Sequence, residues 1–231
     1  MNKIFWAADS TVQTNDYTTY PQTGIGQVFP LFIKKEYCVE NHAKNGRSTK
    51  SFIDEGRLQA IEEKIGAGDF LFIQFGHNDE KKEDPTRYTE PFSSYMDNLE
   101  TFIKVARDHS AYPVLITPLE RRCFRDDKHL GLGAHSDYVA AMKQTAEKNN
   151  VPLVDLYSMS RMELKKAGEE ASRNWYMYFP KGAYWNRQEK SEDNTHLRHE
   201  GAVRFASLIA KGLHELGGIY GKMLLDGIEF E

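Results

Sequence analysis

Four short polar segments hold the side chains that acyl transfer requires. They are Ala8-Asp9-Ser10-Thr11-Val12, Asn45-Gly46-Arg47-Ser48, Phe75-Gly76-His77-Asn78-Asp79 and Asp193-Asn194-Thr195-His196. Attack on an ester carbonyl needs an activated hydroxyl, a base near neutral pKa, a group that holds the base, and donors for the oxyanion. Ser10 offers the hydroxyl from what reads as a strand-to-helix turn, with its own backbone N–H on the same side. His196 is the base, and Asp193, three residues earlier, is within one turn's reach of the imidazole and sets its tautomer. Gly46 offers a backbone N–H unobstructed by a side chain, and the Asn78 amide offers a second donor. Singly, each has a plainer role. A Ser after Asp caps a helix or turn, Gly46 is a turn glycine, Asn78-Asp79 bonds its own backbone, and Asp193 caps the last helix.

The elements that would position these segments favour the joint reading. Apolar runs at Lys3 to Ala8, Tyr37 to Ala43, Asp69 to Phe75, Tyr112 to Thr117 and Val151 to Asp155 read as strands buried on both faces. Helical period appears between them. Phe92, Tyr95, Met96, Leu99, Phe102, Ile103 and Ala106 form one stripe. Leu58, Ile61 and Ile65 form a shorter one, and Tyr138, Ala141, Met142 and Thr145 another. Ala202 to Leu216 marks a closing helix that stops near Gly217-Gly218. Strand-helix alternation predicts a three-layer α/β/α sandwich around a parallel sheet of about five strands. No repeat or linker interrupts it, so residues 1–231 are expected to form one domain. In such a sheet the first three segments leave the same edge, where ligands bind. The fourth opens a helix that returns to it. Two connections lack any period, Leu119 to Ser136 and the aromatic stretch Tyr176 to Asn194, and long loops at that edge are often functional.

Composition removes other classes. The chain has 30 Lys and Arg against 34 Asp and Glu, a formal charge of −4. That gives no electrostatic reason to expect nucleic acid or an anionic membrane as partner. The five apolar residues Ile4 to Ala8 are too few for a signal core, and no run approaches the roughly 20 needed to span a bilayer. A cytoplasmic location is therefore expected. Cys38 and Cys123 are read as reduced thiols, and the histidines lack metal-ligand spacing, so neither metal nor cofactor is expected.

The four segments, ADSTV at 8–12, NHAKNGRS at 41–48, QFGHND at 74–79 and DNTH at 193–196, together resemble the blocks of the SGNH (GDSL-like) hydrolase superfamily. Within it the chain is similar to rhamnogalacturonan acetylesterases and related bacterial carbohydrate acetylesterases. The resemblance implies a flavodoxin-like fold, a metal-free serine mechanism and an acetylated oligosaccharide as substrate. It assigns Ser10, Asp193 and His196 to the triad, and Ser10 N–H, Gly46 N–H and Asn78 to the oxyanion hole. One position departs. The family usually carries Gly before the Asp-Ser pair, whereas this chain has Ala8, which requires a negative φ or a strain of about 1–3 kcal/mol. The missing G-x-S-x-G pentapeptide separates the chain from ordinary α/β-hydrolases.

Around this core, Arg47, Arg121, Arg122 and Arg198 are candidates to meet substrate carboxylates, their alternative being structural salt bridges. His77 is expected to orient the Asn78 loop. Trp185, with Trp175, Tyr176, Tyr178 and Tyr184, could stack on sugar rings or close a satellite core. Two rivals stand beside a pectin substrate. One keeps the chemistry and changes the ester to xylan fragments, sialic acid or another small acyl group. The other is an inactive carbohydrate-binding protein on the same fold. The tail KMLLDGIEFE either seals the domain or meets another subunit, and the sequence carries no signal for oligomeric state.

Overall fold

Burial on both faces explains the apolar strands of the central sheet. A computed structural model describes residues 1–125, 129–131 and 133–228. Five parallel strands, β1 (Asn2–Ala8), β2 (Tyr37–Asn41), β3 (Phe70–Gln74), β4 (Tyr112–Ile116) and β5 (Leu153–Val154), lie in the order β2-β1-β3-β4-β5. Alternate side chains enter two separate cores. Ile4, Trp6, Ala8, Phe70 and Phe72 pack on one side, and Phe5, Ala7, Leu71 and Ile73 on the other.

The helices are α1 (Ile25–Val28), α2 (Thr49–Asp54), α3 (Arg57–Glu62), α4 (Met96–Asp108), α5 (Ser136–Asn149), α6 (Leu156–Ser172), α7 (His199–Leu216) and α8 (Gly218–Lys222). Phe205, Ile209 and Leu213 of α7 close the first core with Leu164 of α6 and Ile25 of α1. Leu99 and Phe102 of α4, Met142 of α5, Ile61 of α3 and Phe52 of α2 close the second. The three layers expected from the alternation are therefore present. The chain turns back across β1 between β2 and β3, so the β1/β3 boundary is the switch point at which this topology opens a crevice.

Two expectations need correction. Ser10 does not enter a helix. β1 ends in a turn, and the first helix begins only at Ile25. The intervening QTNDYTTYPQTG has no apolar period to sustain one. Nor does the Asp193 segment open a helix, because it lies in β7 (Ser191–Leu197), antiparallel to β6 (Tyr176–Phe179). The stretch read as irregular thus holds one strand and the start of the other of a small second sheet, joined by a connection without a strand, and α7 starts after it at His199. Of the tail, Met223 and Leu224 are buried against the first core, whereas Phe230 lies outside the described residues. No helix among the described residues is long and apolar enough to cross a membrane.

Candidate active site

The turn after β1 is built by the residue before Ser10. The Asp9 carbonyl accepts from the N–H groups of Val12 and Gln13, both at 3.2 Å. Its carboxylate Oδ1 accepts from the Thr11 N–H and hydroxyl, each at 2.9 Å. Asp9 is fully buried, and its second oxygen accepts from His77 Nδ1 at 3.2 Å. Burial works to raise the Asp9 carboxyl, but the His77 charge and these hydrogen bonds hold it below the ordinary carboxylate value. Ala8 keeps a negative φ. Ser110, His135 and Asn150 are the non-glycine residues with positive φ among those described. The Gly-to-Ala departure therefore carries no backbone strain.

His196 reaches Ser10 through an irregularity in β7. Tyr176 pairs with Leu197 and Met177 with Asp193, so Asn194, Thr195 and His196 have no partner on β6 and form a bulge. Asp193 Oδ1 accepts from the N–H groups of Thr195 at 2.8 Å and His196 at 3.0 Å, folding that bulge over the carboxylate. Its Oδ2 accepts from His196 Nδ1 at 2.6 Å. A carboxylate only accepts, so Nδ1 carries the proton and Nε2 is the free acceptor. Nε2 lies 2.9 Å from Ser10 Oγ. Burial pushes the Asp193 carboxyl up, yet the imidazole and the two backbone donors bring it below its ordinary value, which keeps it ionised beneath His196.

Gly46, with φ of +76°, sits in the left-handed region that a tight turn after β2 requires. Asn78 follows β3, is buried, and donates one amide hydrogen to the Arg47 carbonyl at 3.0 Å; among the described residues the other amide hydrogen has no protein acceptor. Among the described residues, neither the Ser10 nor the Gly46 N–H has a protein acceptor. The neighbouring Asp79 ties the loop down. Its Oδ1 accepts from the Thr49 N–H at 3.0 Å and from the Thr49 and Thr89 hydroxyls at 2.6 and 3.0 Å. Burial raises its pKa to about 7 despite these bonds.

The other expected residues fall into two sets. His77 is buried as a support, with its ring against His135 at 4.3 Å between centroids. His135 is held to Glu80 at 2.7 Å, and burial lowers its pKa to about 4. Arg122 is buried, bonded to Ser172 at 3.1 Å and lying over Tyr178 at 4.6 Å, so its guanidinium is occupied inside the protein. Arg47 pairs with Glu55 at 2.9 Å, Arg121 with Glu80 at 3.0 Å, and Arg198 holds Asn174 and Tyr184. Trp175 and Tyr176 are core residues, whereas Trp185 is 70% exposed. Arg87, which no sequence motif singles out, stands 3.4 Å from Asn78 Oδ1. No group of His, Cys, Asp and Glu among the described residues could hold a metal ion.

A parallel 2-1-3-4-5 sheet, with Ser, Gly and Asn on successive strand ends and an Asp-x-x-His returning to them, defines a class. The chain belongs to the GDSL-like lipase/acylhydrolase family, whose profile matches residues 9–209, and it is a carboxylic ester hydrolase. It is 40% identical over 217 residues to the rhamnogalacturonan acetylesterase RhgT of Bacillus subtilis, covering 93% of this chain and 90% of that protein. It is 42% identical over 216 residues to a protein of the same bacterium named as a probable rhamnogalacturonan acetylesterase, YesY, covering 94% of each. The solved structure of B. subtilis YxiM superposes with a TM-score of 0.79 at 25% identity, over 94% of this chain and 57% of that longer one. An acetyl-xylooligosaccharide esterase from Geobacillus, at 15% identity and a TM-score of 0.56 over 93% of both chains, shares the fold.

Proposed function

We propose that this chain is a serine esterase that removes O-acetyl groups from pectin-derived oligosaccharides, rhamnogalacturonan fragments foremost, through an acetyl-serine intermediate. The observation that carries this reading is the unbroken line of hydrogen bonds from Asp193 through His196 to Ser10. The two acetylesterase relatives, similar along nearly the whole chain, support the substrate.

In the first half-reaction His196 Nε2 takes the Ser10 proton while Oγ bonds to the acetyl carbon. The oxyanion forms against the Ser10 and Gly46 N–H groups and the spare Asn78 hydrogen, donors worth about 10²–10³ in rate apiece. Collapse breaks the bond to the sugar oxygen, which leaves with the proton from Nε2. Water then gives a proton to the same nitrogen, attacks the acetyl-serine, and frees acetate as Oγ is reprotonated. Throughout, Asp193 keeps Nδ1 protonated and stabilises the imidazolium.

Acetate release from acetylated rhamnogalacturonan and acetylated xylo-oligosaccharides, beside an aryl acetate, tests the reading. Release from the first that vanishes in Ser10→Ala is the expected result. Aryl acetate hydrolysis with neither oligosaccharide cleaved refutes the substrate, and activity that survives Ser10→Ala refutes the mechanism.

A further inference from the structure

We propose that Arg87 is the residue that recognises a uronic acid carboxylate of the acetylated oligosaccharide, placing a fixed cation beside Gly46 and Asn78. The inference rests on the proposed esterase reading and names the substrate feature that its site selects.

The loop after β3 is folded so as to present this side chain. Its two ends are joined where the Thr89 N–H donates to the Asp79 carbonyl at 3.1 Å and the Thr89 hydroxyl to the buried Asp79 carboxylate. Inside, Asp84 organises the turn. Its Oδ1 accepts from the Thr86 N–H at 3.0 Å and hydroxyl at 2.5 Å, and its carbonyl accepts from the Arg87 N–H at 3.0 Å. Asp84 Oδ2 then takes Arg87 Nε at 2.6 Å, which fixes the orientation of the guanidinium plane.

The far end of that plane points back to the catalytic edge. Nη1 donates to Asn78 Oδ1 at 3.4 Å and lies 3.8 Å from where a side chain on Gly46 would begin. One nitrogen therefore stands beside both Gly46 and Asn78, the residues that the β2 and β3 loops bring to the site. The Arg87 side chain is 28% exposed, and among the described residues Nη2 has no protein acceptor. Asp84 takes Nε and Asn78 Oδ1 takes one hydrogen of Nη1, so Nη2 and the second Nη1 hydrogen are left for a ligand carboxylate. A guanidinium held by one acid and open at its other edge is suited to a planar carboxylate at fixed angle. Lysine, a point charge on a flexible stem, would not reproduce that geometry. Galacturonate supplies such a carboxylate in the polymer that the two relatives are named for. The arginines that the sequence offered for this task, Arg47, Arg121, Arg122 and Arg198, are turned to Glu55, Glu80, Ser172 and Asn174.

The test compares kcat and KM for acetate release from acetylated rhamnogalacturonan oligosaccharides with free carboxylates and from the same oligosaccharides after methyl esterification. An aryl acetate is the neutral reference. The wild-type enzyme, Arg87→Gln and Arg87→Lys are each measured, with folding checked by circular dichroism. The wild-type enzyme should prefer the free acids. Arg87→Gln should lose that preference by roughly 10- to 100-fold, chiefly through KM, as expected for one charge-assisted pair. Arg87→Lys should recover only part of it. A wild-type enzyme indifferent to esterification overturns the proposal, as does a preference retained in Arg87→Gln. An equal loss on all three substrates also overturns it, leaving Arg87 as a support for Asn78 alone. Wild-type hydrolysis of the aryl acetate with neither oligosaccharide cleaved overturns the esterase's substrate reading, and this inference with it.

Discussion

Asp193 grips His196 twice, through the backbone N–H at 3.0 Å on one carboxylate oxygen and through ring Nδ1 at 2.6 Å on the other. The same group therefore fixes where the imidazole stands and which ring nitrogen faces Ser10. A substitution can separate these tasks. Asp193→Asn keeps an oxygen for the backbone but confronts Nδ1 with a donor, which favours the tautomer whose Nε2 cannot accept from Ser10. The expected result is a loss of about 10³–10⁴ in kcat on an aryl acetate with the fold intact. A loss below tenfold would remove Asp193 from the triad.

The Asp79 carboxyl predicts a pH dependence of stability. Its folded pKa of about 7 lies above the ordinary 3.8, so between those values the folded chain binds a proton that the unfolded chain has released. The associated stability is complete below pH 3.8 and is lost as pH rises through 7. Asp79→Asn, neutral at every pH, should remove this contribution to the slope between about pH 5 and 8 in urea unfolding, a difference of order 2–4 kcal/mol across the window. Matching slopes in the two proteins would show that Asp79 is ionised when folded.

His77 should prove structural as well as local to the site. Removing it by His77→Leu strands the buried Asp9 carboxylate that shapes the Ser10 turn, at a cost of about 3–5 kcal/mol. The Asp9 carboxyl is held low in the folded state, so its stabilisation is present above its unfolded value and disappears as pH falls through the folded one. Without His77 the acid unfolding midpoint should move to higher pH, read by near-ultraviolet circular dichroism. An unshifted midpoint would mean that the Thr11 bonds suffice.

Legibility tracks burial. All five strands are located from sequence to within two residues at each end, β3 most plainly because it is buried throughout and apolar, whereas the half-buried edge strand β2 and the two-residue β5 both read longer than they are. Helix α6 escapes because, besides Leu156, Ser160, Leu164 and Ser172, few of its residues are buried, and Gly168 at φ of 78° interrupts its period. The β6–β7 pair escapes for another reason. SEDNTHL is polar and weak in strand propensity, and its strand character comes from a partner that no local window contains. The order of the motifs nevertheless points to Ser10 and His196, because residue type survives an error about the element carrying it. Arg87 has no such signal: it lies in a polar turn, and only the fold-back at Asp84 brings it to Asn78.

The bulge of β7 gives the site an unequal division of parts. Asp193 and His196 ride together on one seven-residue strand outside the main sheet, while Ser10, Gly46 and Asn78 follow strands of the sheet itself. Between these halves the hydroxyl–imidazole contact is a seam, supported nearby by the Thr23 N–H on the Leu197 carbonyl and the Arg122 N–H on the Asn194 carbonyl. On the proposed mechanism, parting that seam idles the enzyme while both halves keep their own shape, so turnover should report on the docking of one hairpin before it reports on the integrity of the whole chain.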